Sequence, residues 1–225
     1  MLSRRSWQTG GVSVLIRHTL GESRLYLVCD ALPDKKLSAA LRGGVDLVQL
    51  RMKDASDADV LAAAQRFRAI CSEHGVPLIL NDRPDLAVLA GADGVHIGQD
   101  DMSVAQARSI VGPRRLVGLS THTPEQVDAA FRQDVDYIGV GPVYATPTKP
   151  GRPAVGVDLI AHAAADAPVP FFAIGGIDAT NLGMVVAAGA RRVAVVRAIT
   201  GARDPERAAA ALRTALSMEV GLGAA

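Results

Sequence analysis

Short apolar runs dense in Val, Ile and Leu recur along the chain, and between them alanine and leucine return at the spacing of a helix face. The runs are RLYLVCD (24–30), VDLVQL (45–50), VPLIL (76–80), GVHIG (94–98), LVGLS (116–120), DYIGV (136–140), VPFFAI (169–174) and RVAVV (192–196). Such continuous, β-branched runs read as strands buried on both faces, as in a parallel sheet. One phrase returns four times, as RGGVDLVQL, AGADGVHIG, QDVDYIGVG and AGARRVAVV. Each copy ends a helical pattern, turns, and starts a strand, so the repeating unit is βα. The stretch 56–75 shows the helical half of the unit, with Gly75 as its stop. Eight strands alternating with helices predict a closed (β/α)8 barrel. An open doubly wound sheet is the alternative, but its G-x-G-x-x-G fingerprint is absent from the first βα turn.

At 225 residues the chain suits one such domain, read as an N-terminal extension (1–23), a TIM barrel (24–219) and a short tail (220–225). No Pro/Ser-rich linker divides it. The long loop 141–158 after the sixth strand is of a length more often functional than accidental. Charge excludes more than it suggests: 24 basic against 23 acidic side chains leave no global field for nucleic acid or a membrane surface, so any anion must be bound locally. Cys29 and Cys71, without CxxC spacing, read as buried thiols in a reducing compartment. Near the N-terminus, the apolar run VSVLI is broken at once by Arg17 and His18, too soon for a signal-peptide core or a membrane span. A cytoplasmic protein is expected, with residues 1–23 helical or disordered.

In a barrel of this kind the C-terminal strand ends converge on one mouth. Unusual polar residues cluster at those ends: Gln49, Arg51 and Lys53; Asn81 and Asp82; Gln99, Asp100 and Asp101; Ser120 and His122; Thr146, Thr148 and Lys149; Gly175 and Gly176. Each has a bland reading. Arg51 and Lys53 suit solvated loops, Asn81–Asp82 and Asp100–Asp101 suit helix caps, and His96 suits a satisfied core position. In combination they suggest more. Two carboxylates on adjacent strand ends, without a His or Cys cluster, suit a hard ion such as Mg²⁺ shared with a phosphate, and Arg51, Lys53 and Lys149 would supply the rest of a diphosphate clamp. Gly175–Gly176, with Arg197 past the eighth strand, suggests a second anion site.

The stretches VQLRMKD, LILND, GADGVHIGQDD, GLSTHT, GPVYATPTKPG, AIGGI and VVRAI, in this order and spacing, resemble the thiamine-phosphate synthase family from RLYLVCD to ARDPERAA. The resemblance implies an enzyme that condenses hydroxymethylpyrimidine diphosphate with thiazole phosphate to give thiamine phosphate and diphosphate. It assigns the pyrimidine diphosphate to Gln49, Leu50, Arg51, Met52, Lys53, Asn81, Ser120 and Lys149, with Arg51, Lys53, Ser120 and Lys149 as the catalytic set. Asp82 and Asp101 would hold Mg²⁺. Thr146, Pro147, Thr148, Gly176, Val196 and Arg197 would hold the thiazole phosphate. Arg197 departs from the small hydroxyl residue common there. The alternatives are a thiazole tautomerase using His122, a silent phosphate-ester sensor, and a Schiff-base aldolase. The last wants a desolvated lysine within a strand, whereas Lys53 and Lys149 follow strand ends.

Overall fold

The computed structural model describes residues 7–146 and 153–222, with side chains over 15–146 and 153–218. The first half alternates α1 (Trp7–Glu22), β1 (Leu25–Cys29), α2 (Asp34–Arg42), β2 (Leu47–Leu50), α3 (Asp57–Glu73), β3 (Leu78–Asn81), α4 (Pro84–Leu89) and β4 (Gly94–Ile97). The second half continues with α5 (Val104–Val111), β5 (Leu116–Thr121), α6 (Pro124–Ala130), β6 (Tyr137–Val140), α7 (Asp158–Asp166), β7 (Phe171–Ile174), α8 (Leu182–Ala187), β8 (Val193–Val195), α9 (Arg197–Thr200) and α10 (Pro205–Leu222). The eight strands pair in chain order, all parallel, and β8 returns to β1 through Leu25 opposite Val193, so the expected barrel closes.

The apolar runs carry no alternation because each strand is covered on both sides. On β1, Leu25, Leu27 and Cys29 pack outward into the helix-covered core, whereas Tyr26 and Val28 point inward. Inside the barrel, Tyr26, Tyr137 and Phe172 meet edge to face with ring centroids 5.2–5.9 Å apart. Below them Leu20 and Ile16 of α1 join Leu47 and Leu116, so the segment read as an extension plugs the N-terminal end of the barrel. The interior therefore has one open end.

Helix ends show which polar residues are structural. Ser56 caps α3 through the Asp59 N–H, and Gly75 stops it at φ +67. Ser103 and Gln106 form a capping box on α5, and α4 begins at Pro84 with no side-chain cap. The capping reading of Asp82 and Asp101 is therefore not realised, and both carboxylates are left to the rim.

The recurring phrase has its own physical reason. An aspartate precedes three of its strands and accepts a backbone N–H from the neighbouring strand's start: Asp46 from Arg24 and Leu25, Asp93 from Leu78, and Asp136 from Val117. Asp136 also holds Arg108 at 2.6 Å and Arg17 of α1 at 2.7 Å. Removing this largely buried carboxylate takes one partner from each of two guanidinium groups, which keep backbone carbonyls, and the side-chain acceptor from the Val117 amide, at the end of the barrel opposite the mouth. Asp136→Ala is expected to cost roughly 3 kcal/mol in thermal or urea unfolding, with kcat/KM unchanged; a large loss of turnover in folded protein would contradict a purely structural role.

Candidate active site

A cavity of about 340 Å³ opens at the C-terminal strand ends, floored by Tyr26 and Phe172. Gln49, Arg51, Asn81, Ser120, Thr146, Gly176, Val196 and Arg197, from six different strand ends, all line it, and so do His96 and His122. Leu50 and Met52 do not. Leu50 is buried in the outer, helix-facing core and Met52 packs against that core, as alternation from an inward Gln49 dictates. Pro147, Thr148 and Lys149 lie outside the described residues.

At the rim after β3 and β4, Asp82 and Asp101 share a side-chain hydrogen bond, and Lys53 acts on the same carboxyl by charge. Local backbone geometry aims them. Asp82 takes the left-handed conformation at φ +62, with its N–H donated to the His96 carbonyl at 2.8 Å. Such a conformation is uncommon outside glycine and marks a position held by its surroundings. Asp101 accepts the Gly98 N–H through Oδ2 at 2.7 Å, and a Cβ on Gly98 would stand 2.9 Å from that oxygen. Burial, then the hydrogen bond and negative charge of Asp101, raise the Asp82 carboxyl from its usual 3.8 to about 6, against the lowering pull of Lys53 and Asn81. Two carboxylates so placed repel when both are ionised, and a proton or a cation would relieve that repulsion.

On the opposite side, the loop after β7 is pressed against the loop after β6. Val143 donates to the Ile174 carbonyl at 2.9 Å and Tyr144 to that of Gly175 at 3.0 Å. A Cβ on Gly175 would meet Pro142 Cα at 2.5 Å, and Gly175 and Gly176 adopt φ +106 and +66, so only glycine suits the pair. Asn181 Nδ2 braces the Gly176 carbonyl at 2.8 Å. Gly176, Val196 and Arg197 thus form one wall. His122 donates through Nδ1 to the Gly141 carbonyl, which fixes its ring in the cavity lining.

The family model described as thiamine monophosphate synthase matches residues 25–199, nearly the whole barrel. The chain belongs to the thiamine monophosphate synthase family. A thiamine-phosphate synthase of Thermus thermophilus is 52% identical over 201 residues, covering 86% of this chain and 97% of that protein. The thiamine-phosphate synthase of Gloeobacter violaceus is 50% identical over 91% of this chain, which spans only 60% of that longer relative. Among solved structures, the thiamine phosphate pyrophosphorylase of Pyrococcus furiosus superposes with a TM-score of 0.82 at 29% identity, covering 92% of this chain and 100% of that one.

Sequence reasoning missed the cavity floor. Tyr26, Tyr137 and Phe172 read as core, and His96 as a satisfied core histidine; His96 is indeed 8% exposed and hydrogen-bonded on both nitrogens, yet it also lines the cavity. The available signal was glycine inside strands, which marks close approach. A Cβ on Gly118 would stand 2.2 Å from Tyr137 Cζ and 2.6 Å from His96 Nδ1.

The raised carboxyl sets a pH dependence. A folded-state value above the unfolded one means that the folded chain binds the proton more tightly. The pair's contribution to stability is thus fully present below pH 3.8 and is lost as pH rises through about 6. Asp82→Asn removes this penalty, and asparagine tolerates the left-handed backbone. In metal-free buffer its Tm is expected to exceed that of the wild type by roughly 2–4 °C at pH 7.5 and to converge on it near pH 4. A gap of equal size at both pH values would contradict the carboxylate pair as its source.

Proposed function

We propose that this rim joins a pyrimidine diphosphate to a thiazole phosphate, releasing diphosphate and thiamine phosphate. The observation that carries the reading is a cavity lined by Arg51, Arg197 and the Gly175–Gly176 wall, in which Asn81 stands next to Asp82; Asp82, Asp101 and Lys53 interact with one another beside it without lining it. Membership in the synthase family supports it, as do full-length relatives that bear that name.

The chemistry asks little of a nucleophile. The C–O bond from the pyrimidine methylene to the diphosphate breaks, and its electron pair leaves with the diphosphate. The electron-rich aminopyrimidine spreads the resulting positive charge, and the thiazole nitrogen lone pair forms the new C–N bond. The protein's share is to bind charge and to align the two reactants. Arg51, Lys53 and Lys149 hold the diphosphate, while Gln49, Asn81 and Ser120 orient the pyrimidine. Thr146, Pro147, Thr148, Gly176, Val196 and Arg197 place the thiazole phosphate on the opposite wall. Arg197 offers a guanidinium to that phosphate.

Mg²⁺ fits the donor set. Asp82 and Asp101 present oxygen only, interact with each other, and repel when both are ionised. Among the described residues no group of three or more His, Cys, Asp or Glu side chains is placed to hold a metal, so the remaining ligands would come from substrate and water. When bound, the ion supplies neutralisation of the leaving diphosphate. The pH-sensitive carboxyl makes proton and cation competitors for one position.

Among the described residues no helix is long and apolar enough to cross a membrane. The buried free thiols of Cys29 and Cys71 support a reducing, cytoplasmic setting.

Incubating the protein with both half-molecules and Mg²⁺ is expected to yield thiamine phosphate and inorganic diphosphate in equal amounts. Turnover of the thiazole alone, without the pyrimidine, would replace this reading with an isomerase. Asp101→Ala is expected to lower kcat/KM by about a hundredfold or more with unchanged far-UV circular dichroism, and wild-type rates at limiting Mg²⁺ would defeat the metal assignment. For Lys149→Ala, KM should rise for the pyrimidine diphosphate and stay nearly constant for the thiazole phosphate; equal shifts in both would undo the division between the two walls.

A further inference from the structure

Beneath the cavity a line of polar side chains crosses the apolar barrel interior. Gln49 Nε2 donates to the Tyr26 hydroxyl at 2.7 Å, the Tyr26 and Tyr137 hydroxyls are 2.9 Å apart, His96 Nδ1 lies 3.2 Å from Tyr137, and His96 Nε2 lies 2.9 Å from Ser120 Oγ. The line begins and ends at the cavity, since Gln49 and Ser120 both line it, whereas Tyr137 is fully buried and not part of the lining. The phenols carry no charge: burial holds both well above their ordinary range.

Counting protons gives the line a direction. Each phenol has one proton, and a buried donor left without an acceptor costs about 1–3 kcal/mol. Tyr26 accepts from Gln49, so its own proton goes to Tyr137. The proton of Tyr137 then goes to His96 Nδ1, because the Tyr26 oxygen is already its donor. A neutral imidazole with Nδ1 accepting carries its proton on Nε2, and that proton is donated to Ser120 Oγ. The hydroxyl proton of Ser120 must then point away from His96. We propose that Tyr26 and Tyr137 are positioning residues, whose hydroxyls hold His96 as the Nε2–H tautomer and thereby present Ser120 to the cavity as a hydrogen-bond donor, suited to an acceptor atom on the substrate heterocycle.

Two features support this role. Tyrosine hydroxyls inside a barrel of Leu, Ile and Phe are unnecessary for packing, since phenylalanine fills nearly the same volume. Gly118 leaves the imidazole its place: a Cβ there would come 2.5 Å from the Tyr137 hydroxyl and 2.6 Å from His96 Nδ1. Breaking the line at Tyr137 removes the donor to Nδ1, so the proton is free to move to that nitrogen and Ser120 turns from donor to acceptor.

The test has two arms. In ¹⁵N-labelled protein at pH 8, without substrate, long-range ¹H–¹⁵N spectra read the tautomer of His96, assigned by its loss in His96→Gln. The expected result is protonated Nε2 and unprotonated Nδ1 in the wild type, with a shift toward protonated Nδ1 in Tyr137→Phe. A wild-type Nδ1–H tautomer, or a doubly protonated ring, would overturn the proposal. The second arm rests on the synthase reading: Tyr137→Phe is expected to raise KM for the pyrimidine diphosphate by roughly tenfold, the worth of one hydrogen bond, and to leave KM for the thiazole phosphate within about twofold. Equal changes in both constants, or none, would refute the positioning role. The first arm needs no turnover, so failure of the synthase reading and failure of the hydrogen-bond line give different results.

Discussion

Closure of eight parallel strands is the constraint on which everything else depends. Parallel pairing leaves every strand pointing the same way, and the return of β8 to β1 bends the row into a ring, so all C-terminal ends meet around one opening. Residues separated by more than a hundred positions, such as Gln49 and Arg197, then share one small cavity. The opposite end carries stability instead. There the aspartates before β2, β4 and β6 tie neighbouring strands together, and Arg17 anchors the plugging helix to Asp136. One end gathers the candidate site and the other holds the barrel together.

Within the mouth, charge is arranged against its own interest. Asp82 and Asp101 meet although both are acids, and the raised carboxyl records the cost. Unsatisfied electrostatics of this kind accompany sites built for a missing charge. The cationic groups sit nearby but outside direct pairing with the carboxylates: Lys53 lowers the Asp82 value without overcoming burial and repulsion. A diphosphate bridged by a divalent cation would satisfy both sets together. The wall after β7 is built differently, from glycines against which the loop after β6 packs too closely for a Cβ.

The fold was legible in the sequence because it follows local periodicity, and the same periodicity located the strand ends from which the candidate site is proposed. Continuous apolar runs marked strands buried on two faces, and strand ends marked the rim. Polar residues at that rim were candidates before any contact was known. Asp82 and Asp101 were ambiguous, since a carboxylate before a helix also reads as a cap; Ser103 caps α5 and α4 starts at Pro84 without a side-chain cap, and only the tertiary structure shows it. Leu50 and Met52 were placed with the binding stretch VQLRMKD, but β2 directs alternate side chains to opposite faces, and Leu50 serves the outer core. Tyr26, Tyr137 and His96 gave no signal beyond an apolar strand context, because their importance lies in contacts across the barrel.

By itself, then, the order of residues determined the repeating unit, the number of strands and the identity of the rim groups, since each depends on neighbours within a turn or a strand. The tertiary structure decided which rim groups touch, how far the Asp82 carboxyl is raised, and how a line of hydroxyls crosses the interior from Gln49 to Ser120. Those outcomes depend on distances between strands far apart in the chain, and such distances exist only once the ring is closed.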